Sequence, residues 1–191
     1  MVQDEEKARK SRSAKLILLF AMVSMTMMFA GLTSAFVVSK SRADWLKDFE
    51  MPSSFYWSTL VIICCSLTFH LAKISILKDN RSKTTFYLLL TFTLGILFVA
   101  LQFLGFNEII QMGYNPTGPT QTVTTTFLYV LAGLHLVHLA GGLISLRNII
   151  YNHFKQKYNS TQTLGIELGA MYWHFLDILW VYLFLFLFFF K

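Results

Sequence analysis

Five long apolar runs separated by short polar stretches organise this chain, at residues 15–39, 56–77, 84–106, 123–146 and 168–190. Each offers the roughly 20 residues that an α-helix needs to cross a ~30 Å hydrocarbon layer. The alternation of a half-buried strand is absent, and backbone groups in lipid must be satisfied within their own segment, so each run predicts a helix. The expected fold class is all-α: a polytopic membrane bundle of five transmembrane helices. Residues 1–14 read as a basic cytoplasmic tail and residues 15–191 as a single transmembrane domain. The first run is long enough to span, and no convincing cleavage site follows it, so it reads as a retained span rather than a signal.

Composition agrees with the pattern. Of 191 residues, 55% are hydrophobic, 19 are Phe and only 14% are charged, whereas a soluble domain carries about 25% charged residues. The net charge of +6 therefore bears on topology and anionic headgroups, not on nucleic acid, for which no soluble basic face is left. Twelve Lys and Arg fall on one side of the layer. They lie in the tail (Lys7, Arg9, Lys10, Arg12, Lys15), the second connection (Lys73, Lys78, Arg81, Lys83) and the fourth (Arg147, Lys155, Lys157). Four fall on the other side: Lys40, Arg42, Lys47 and Lys191. The positive-inside rule then places the N-terminus in the cytoplasm and the C-terminus outside.

Asp4, Glu5 and Glu6 ahead of the basic residues suggest a solvated, mobile end. The third connection, 107–122, has no Lys or Arg and carries Gly113, Pro116, Gly118 and Pro119, as an outside loop built from turns would. The sequons at Asn80 and Asn159 fall on the inside and are discounted. Cys64 and Cys65, adjacent on a helix, point about 100° apart and read as packing residues, not as a disulfide or a metal site.

Against this apolar background the ionisable residues inside the spans stand out. Asp177 is the sharpest, because an Asp in mid-bilayer costs about 3 kcal/mol on insertion scales. His174 lies three residues away, on the same helix face, and the spacing predicts either an ionised, hydrogen-bonded His174–Asp177 pair or a protonated Asp177. Glu167 lies two turns earlier and shares that broad face, although its place near a helix N-terminus is sufficient structural reason for it. Trp173 and Trp180, seven apart, line a neighbouring stripe. In the fourth run His135 and His138 lie three apart beside Gly133, Ala140, Gly141 and Gly142, where small residues would let a neighbouring helix approach. Two such His could ligate a metal with His174, Asp177 or Glu167. The plainer reading, that each ring bonds a neighbouring group, is preferred because no Cys or second carboxylate clusters with them. His70 reads as an interfacial polar tip. A haem between facing His is rejected, since His135 and His138 lie on one helix near its middle whereas His70 lies near the inner end of its own.

Several segments, in order, resemble subunit III of the haem–copper terminal oxidases. Phe29-Ala30-Gly31-Leu32 and Met51-Pro52 through Ser58-Thr59 match family patterns, and so does Gly133-Leu134-His135-Leu136-Val137-His138. Glu167 through Trp180 resembles the family's "E----YWHF-D--W". The resemblance covers about 15–190 and matches the short five-helix bacterial form. At the position where many members carry a Glu in the first of these helices, this chain has Met25, so no role of that acid transfers. The resemblance implies a non-catalytic, multi-pass subunit in the bacterial inner membrane, most simply of a cytochrome c oxidase that reduces oxygen to water and pumps protons. It would pack on oxidase subunit I beside subunit II and other respiratory subunits, hold phospholipids and support proton uptake. Haem and copper would lie in the partners and no cofactor, metal or catalytic residue in this chain. Glu167, Trp173, His174, Asp177, His135 and His138 are then candidates for subunit packing, lipid contact or proton tuning. A quinol oxidase subunit III or a nitric-oxide-reductase accessory protein of the same family is the alternative. A small metal or proton transporter is the alternative of another class.

Overall fold

A computed structural model describes residues 2–42, 45–46, 50–116, 118, 121–159 and 162–190. Lys47, Pro119, Lys191, the Ser160–Thr161 end of one sequon and the side chains of Asp4 and Lys7 lie outside the described residues. The described residues form five long helices and one short 3-10 turn: α1 (Val2–Val38), the turn Ser39–Ser41, α2 (Ser53–Leu77), α3 (Arg81–Gln111), α4 (Val123–Phe154) and α5 (Leu164–Phe190). All five are long and apolar enough to cross a membrane. The all-α, five-span reading therefore holds.

Each helix outruns its apolar stretch at one end or both, because an apolar run measures only the part in hydrocarbon. The backbone stays helical until a cap or breaker stops it. Asn80 starts α3, its side chain accepting from the Lys83 N–H at 3.2 Å, and Thr122 starts α4 in the same manner. At the far end of α3, Gly113 takes φ +90 and the Tyr114 N–H reaches back to the Ile109 carbonyl at 3.2 Å. A left-handed residue there closes the last turn and favours glycine. The third loop consequently begins at Met112, later than the sequence suggested.

The N-terminal segment departs most from expectation. Residues 2–14 continue α1 as helix, a consequence of helix-favouring Ala, Glu, Lys and Arg with no Gly or Pro before Gly31. Glu6 and Lys10 pair at i, i+4 with 2.7 Å between them. At 1.5 Å per residue the 37 residues of α1 extend ~55 Å, well past a 30 Å layer.

The three-residue link Lys78–Asn80 makes α2 and α3 an antiparallel hairpin, the most extensively packed pair of the fold. α5 runs against α2 and α4, and α1 leans on α5 and α4. At the loop-112 end, the Ser53 and Ser54 hydroxyls of α2 both donate to the Glu108 carboxylate of α3, which locks the hairpin's open mouth. The core runs along α5, with Trp173, Trp180, Leu176, Leu183 and Leu187 all buried.

Candidate functional site

The residues singled out from sequence lie on α4 and α5, yet they face different neighbours. Glu167 turns to α1. Lys15 donates to one of its oxygens at 2.7 Å and Thr163 to the other at 2.6 Å. This half-exposed ion pair ties the start of α5 to the body of α1. His174 turns to α2, where its Nδ1 shares a hydrogen bond of 2.7 Å with Ser66 Oγ and its ring lies 6.1 Å from that of His70. Asp177 points into the core, 3% exposed, and neither of its oxygens has a hydrogen-bond partner. The anticipated His174–Asp177 pair is thus absent. Spacing by three puts two residues on one face, but an intrahelical bond between such short side chains competes with partners across the seam, and Ser66 takes the imidazole.

Trp173 and Trp180 are each 1% exposed. Trp180 N–H donates to Thr59 Oγ1 at 3.1 Å, and its ring packs edge-on against Phe98 at 5.2 Å and Phe55 at 5.9 Å. Trp173 sits in a seat of missing side chains. A Cβ on Gly95 of α3 would come within 3.2 Å of its ring, and one on Gly142 of α4 within 3.3 Å.

Of the small residues noted beside the α4 histidines, only Gly142 makes a tight approach; Gly133 has open space around it and Ala140 is exposed. Gly95 escaped notice in the sequence because a lone glycine in a Leu- and Phe-rich run carries no local signal.

His135 and His138 also diverge. His138, half-buried, bonds through Nδ1 to its own Leu134 carbonyl at 2.7 Å and meets the Phe29 ring of α1 edge-on at 5.8 Å. His135 is fully buried between Trp180 at 5.2 Å and Phe98 at 6.0 Å, and neither ring nitrogen has a partner. The simple expectation that each ring bonds a neighbour holds for His138 and fails for His135. Among the described residues no group of three His, Cys, Asp or Glu is placed to hold a metal ion. Cys64 and Cys65 are both free thiols, and Cys65 donates to the Thr91 carbonyl at 3.2 Å. Met25 is half-buried on α1.

A groove lies between α1, α4 and α5 on the Lys15 side. Its apolar trough, about 450 Å³, is lined by Leu18, Gly141, Ile149, Leu168, Gly169 and Tyr172. It meets a polar mouth of about 630 Å³ carrying Lys10, Lys15, Lys157 and Thr163, and Tyr158 and Gly165 belong to both. Partial burial raises the Tyr158 phenol above its ordinary range, against a smaller lowering by Asn152, so it stands at this junction as a neutral hydroxyl. None of the groove was legible from sequence spacing, since it is assembled from three helices and one loop.

Comparison with known proteins bears directly on this arrangement. The family profile described as cytochrome c oxidase subunit III matches residues 7–191. The chain is 31% identical over 133 residues to the cytochrome bo(3) ubiquinol oxidase subunit 3 of Buchnera aphidicola subsp. Schizaphis graminum, covering 70% of this chain and 69% of that protein. It is 26% identical over 171 residues to the cytochrome c oxidase subunit 3 of Thermostichus vulcanus, covering 87% and 82%. It is also 31% identical over 140 residues to the cytochrome c oxidase subunit 3 of Petromyzon marinus, 73% of this chain but only 50% of that longer protein.

Proposed function

The chain belongs to the cytochrome c oxidase subunit III family, and on that premise we propose that it is a non-catalytic membrane subunit of a proton-pumping haem–copper terminal oxidase. Family membership over nearly the whole chain carries this reading, and the same membership leaves the transporter alternative without support. Relatives named for a cytochrome c oxidase and for a quinol oxidase both match, so the proposal covers both electron donors.

In this reading the chain packs against subunit I, beside subunit II, in a bacterial cytoplasmic membrane. Its N-terminus and the Lys15 end face the cytoplasm, on the strength of the Lys and Arg asymmetry. Haem and copper belong to the partner subunits, and this chain supplies packing, lipid contact and support of proton uptake. Glu167, Trp173, His174, Asp177, His135 and His138 act as packing and tuning residues. The burial of Trp173 and Trp180 at the bundle centre supports that role. The α1–α4–α5 groove suits a phospholipid. Its trough is apolar and open along the bundle, and its mouth carries Lys10, Lys15 and Lys157 against the single carboxylate of Glu167, a net positive rim that suits an anionic headgroup at the cytoplasmic boundary.

Copurification is the test. The tagged full-length chain, extracted from its native membrane in mild detergent, should carry with it a larger haem-containing chain and phospholipid. Recovery of the chain with no haem protein attached, under conditions that keep oxidase activity intact in the extract, would overturn the proposal. A reporter active only in the cytoplasm should work fused at the N-terminus and fail at Lys191.

A further inference from the structure

Beside the aromatic layer of Trp180, Phe98 and His135, the bundle centre gathers buried polar atoms that neighbouring protein groups leave unsatisfied. Both oxygens of Asp177 are of this kind, and so is Nε1 of Trp173, one turn earlier on α5. Asp177 and Trp173 both face the Cys65 thiol, whose own proton is committed to the Thr91 carbonyl. Ser66, the next residue on α2, faces Asp177 while holding His174 at 2.7 Å. Leaving such groups dry costs about 1–3 kcal/mol each, and native cores rarely keep even one. A water with two to four polar partners removes that cost, and Asp177, Trp173 and Ser66 supply them.

Exchangeable groups lie to both sides of this centre, but they are held differently. Toward the Lys15 end, Ser66 leads to His174, whose ring neighbours the exposed His70 at 6.1 Å, and Lys73 follows within electrostatic reach of His174. In the opposite direction stand the packed rings of Trp180, Phe98 and Phe55, with the Trp180 N–H already spent on Thr59. Cys65, His70 and Lys73 on α2 and His174 on α5 are titratable groups on this side, with the Lys15–Glu167 pair of α1 and α5 beyond them near Lys73. α1 and α3 carry no Asp, Glu, Lys, Arg or His at this depth. On α4, His135 and His138 turn to Trp180 and Phe29.

We propose that the Asp177 carboxyl is a water-linked proton-exchange site, reached from the Lys73 end of the bundle through Ser66, His174 and His70 and closed at the other end by the aromatic layer. A proton leaving the carboxyl passes through the water to Ser66 Oγ. Ser66 hands its own proton to His174 Nδ1, and the imidazole releases one from Nε2 toward His70. No electron moves, and only this chain's own groups take part, whichever assembly holds it.

Infrared spectroscopy of the full-length chain in lipid nanodiscs tests this. The wild type should show the carbonyl stretch of a buried carboxylic acid. The band should be lost in Asp177→Asn and should shift down on transfer to D2O. Ser66→Ala and His174→Phe should each slow that shift by about tenfold or more, equivalent to ~1.4 kcal/mol of barrier. Ser66→Thr, which keeps the hydroxyl, should restore the rate, and Thr59→Ala, on the closed side, should leave it unchanged. A carboxylic band not assignable to Asp177 would overturn the proposal. So would a shift whose rate ignores both Ser66→Ala and His174→Phe, or one that Thr59→Ala changes as strongly. Absence of any such band in the wild type, which needs no variant to fold, would overturn the proposal by itself.

Discussion

Trp173 and Trp180 are buried equally deeply on α5, two turns apart, yet their surroundings differ in kind. Around Trp180 the bundle is filled by large rings, and its one polar atom is answered by Thr59. Around Trp173 it is filled by subtraction: glycines on α3 and α4 vacate the space that the indole occupies, and its N–H is left to Asp177's neighbourhood. Close ring packing suits a rigid, dry half of the bundle. Helices brought together over glycine suit a half where polar groups must sit between backbones. One helix therefore joins a sealed half to a polar half, and its motif supplies an anchor to each.

The largest effect should come from removing the Trp173 anchor. Trp173→Ala empties a large volume between three helices and should cost about 3–5 kcal/mol, read as loss of subunit yield and of thermal stability in detergent. Gly95→Leu attacks the same seat from α3. Overpacking there costs about 1–3 kcal/mol, and the pair should show strong non-additivity with Trp173→Ala, because each relieves what the other crowds.

A milder change separates the halves. Trp180→Phe and Trp173→Phe delete similar volume, but only the first breaks a direct hydrogen bond to another side chain. Trp180→Phe should therefore be the costlier by about 1 kcal/mol, measured as the difference between the two unfolding free energies. Equal costs would mean that the Trp180–Thr59 contact contributes nothing net.

This contrast also marks how far the sequence could be read. Five helices follow from apolar length alone, and the shared stripe of Trp173 and Trp180 from their spacing. Partners across helix seams do not. Ser66, Thr59 and Gly95 are ordinary residues on other helices, and only packing brings them to α5. The proposed His174–Asp177 pair failed for that reason: intrahelical spacing constrains direction, but a nearer acceptor or donor on α2 decides the bond. The helical N-terminal segment was missed for a different reason, since charge suggested solvation and propensity was given too little weight.

At the edge of the polar half, Lys15 and Glu167 join α1 to α5. Their side chains are 42% and 27% exposed, and a pair so open to solvent contributes roughly 0–1 kcal/mol. Lys15→Met should lower stability by no more than that, with the difference shrinking as salt is raised. A loss that persists undiminished at high salt would assign Lys15 a packing role along the groove instead.

The smallest effect is expected where the sequence alone predicts a large one. Were Asp177 paired with His174, replacing it by Leu would strand a partner and cost about 1–3 kcal/mol, or more if both were charged. His174 instead bonds Ser66, and Asp177 binds no protein group. Asp177→Leu thus removes a buried polar group without breaking a direct hydrogen bond to another described side chain. It adds apolar area at a core position, so its cost and gain nearly cancel. Thermal unfolding of the assembled complex should place Asp177→Leu within about 1 kcal/mol of wild type, whereas Ser66→Ala, which does strand the His174 imidazole, should cost more. A reversal of that order, with Asp177→Leu the more damaging, would mean that the carboxyl has a binding partner beyond this chain's own side chains, with subunit I as the nearest source in an oxidase complex.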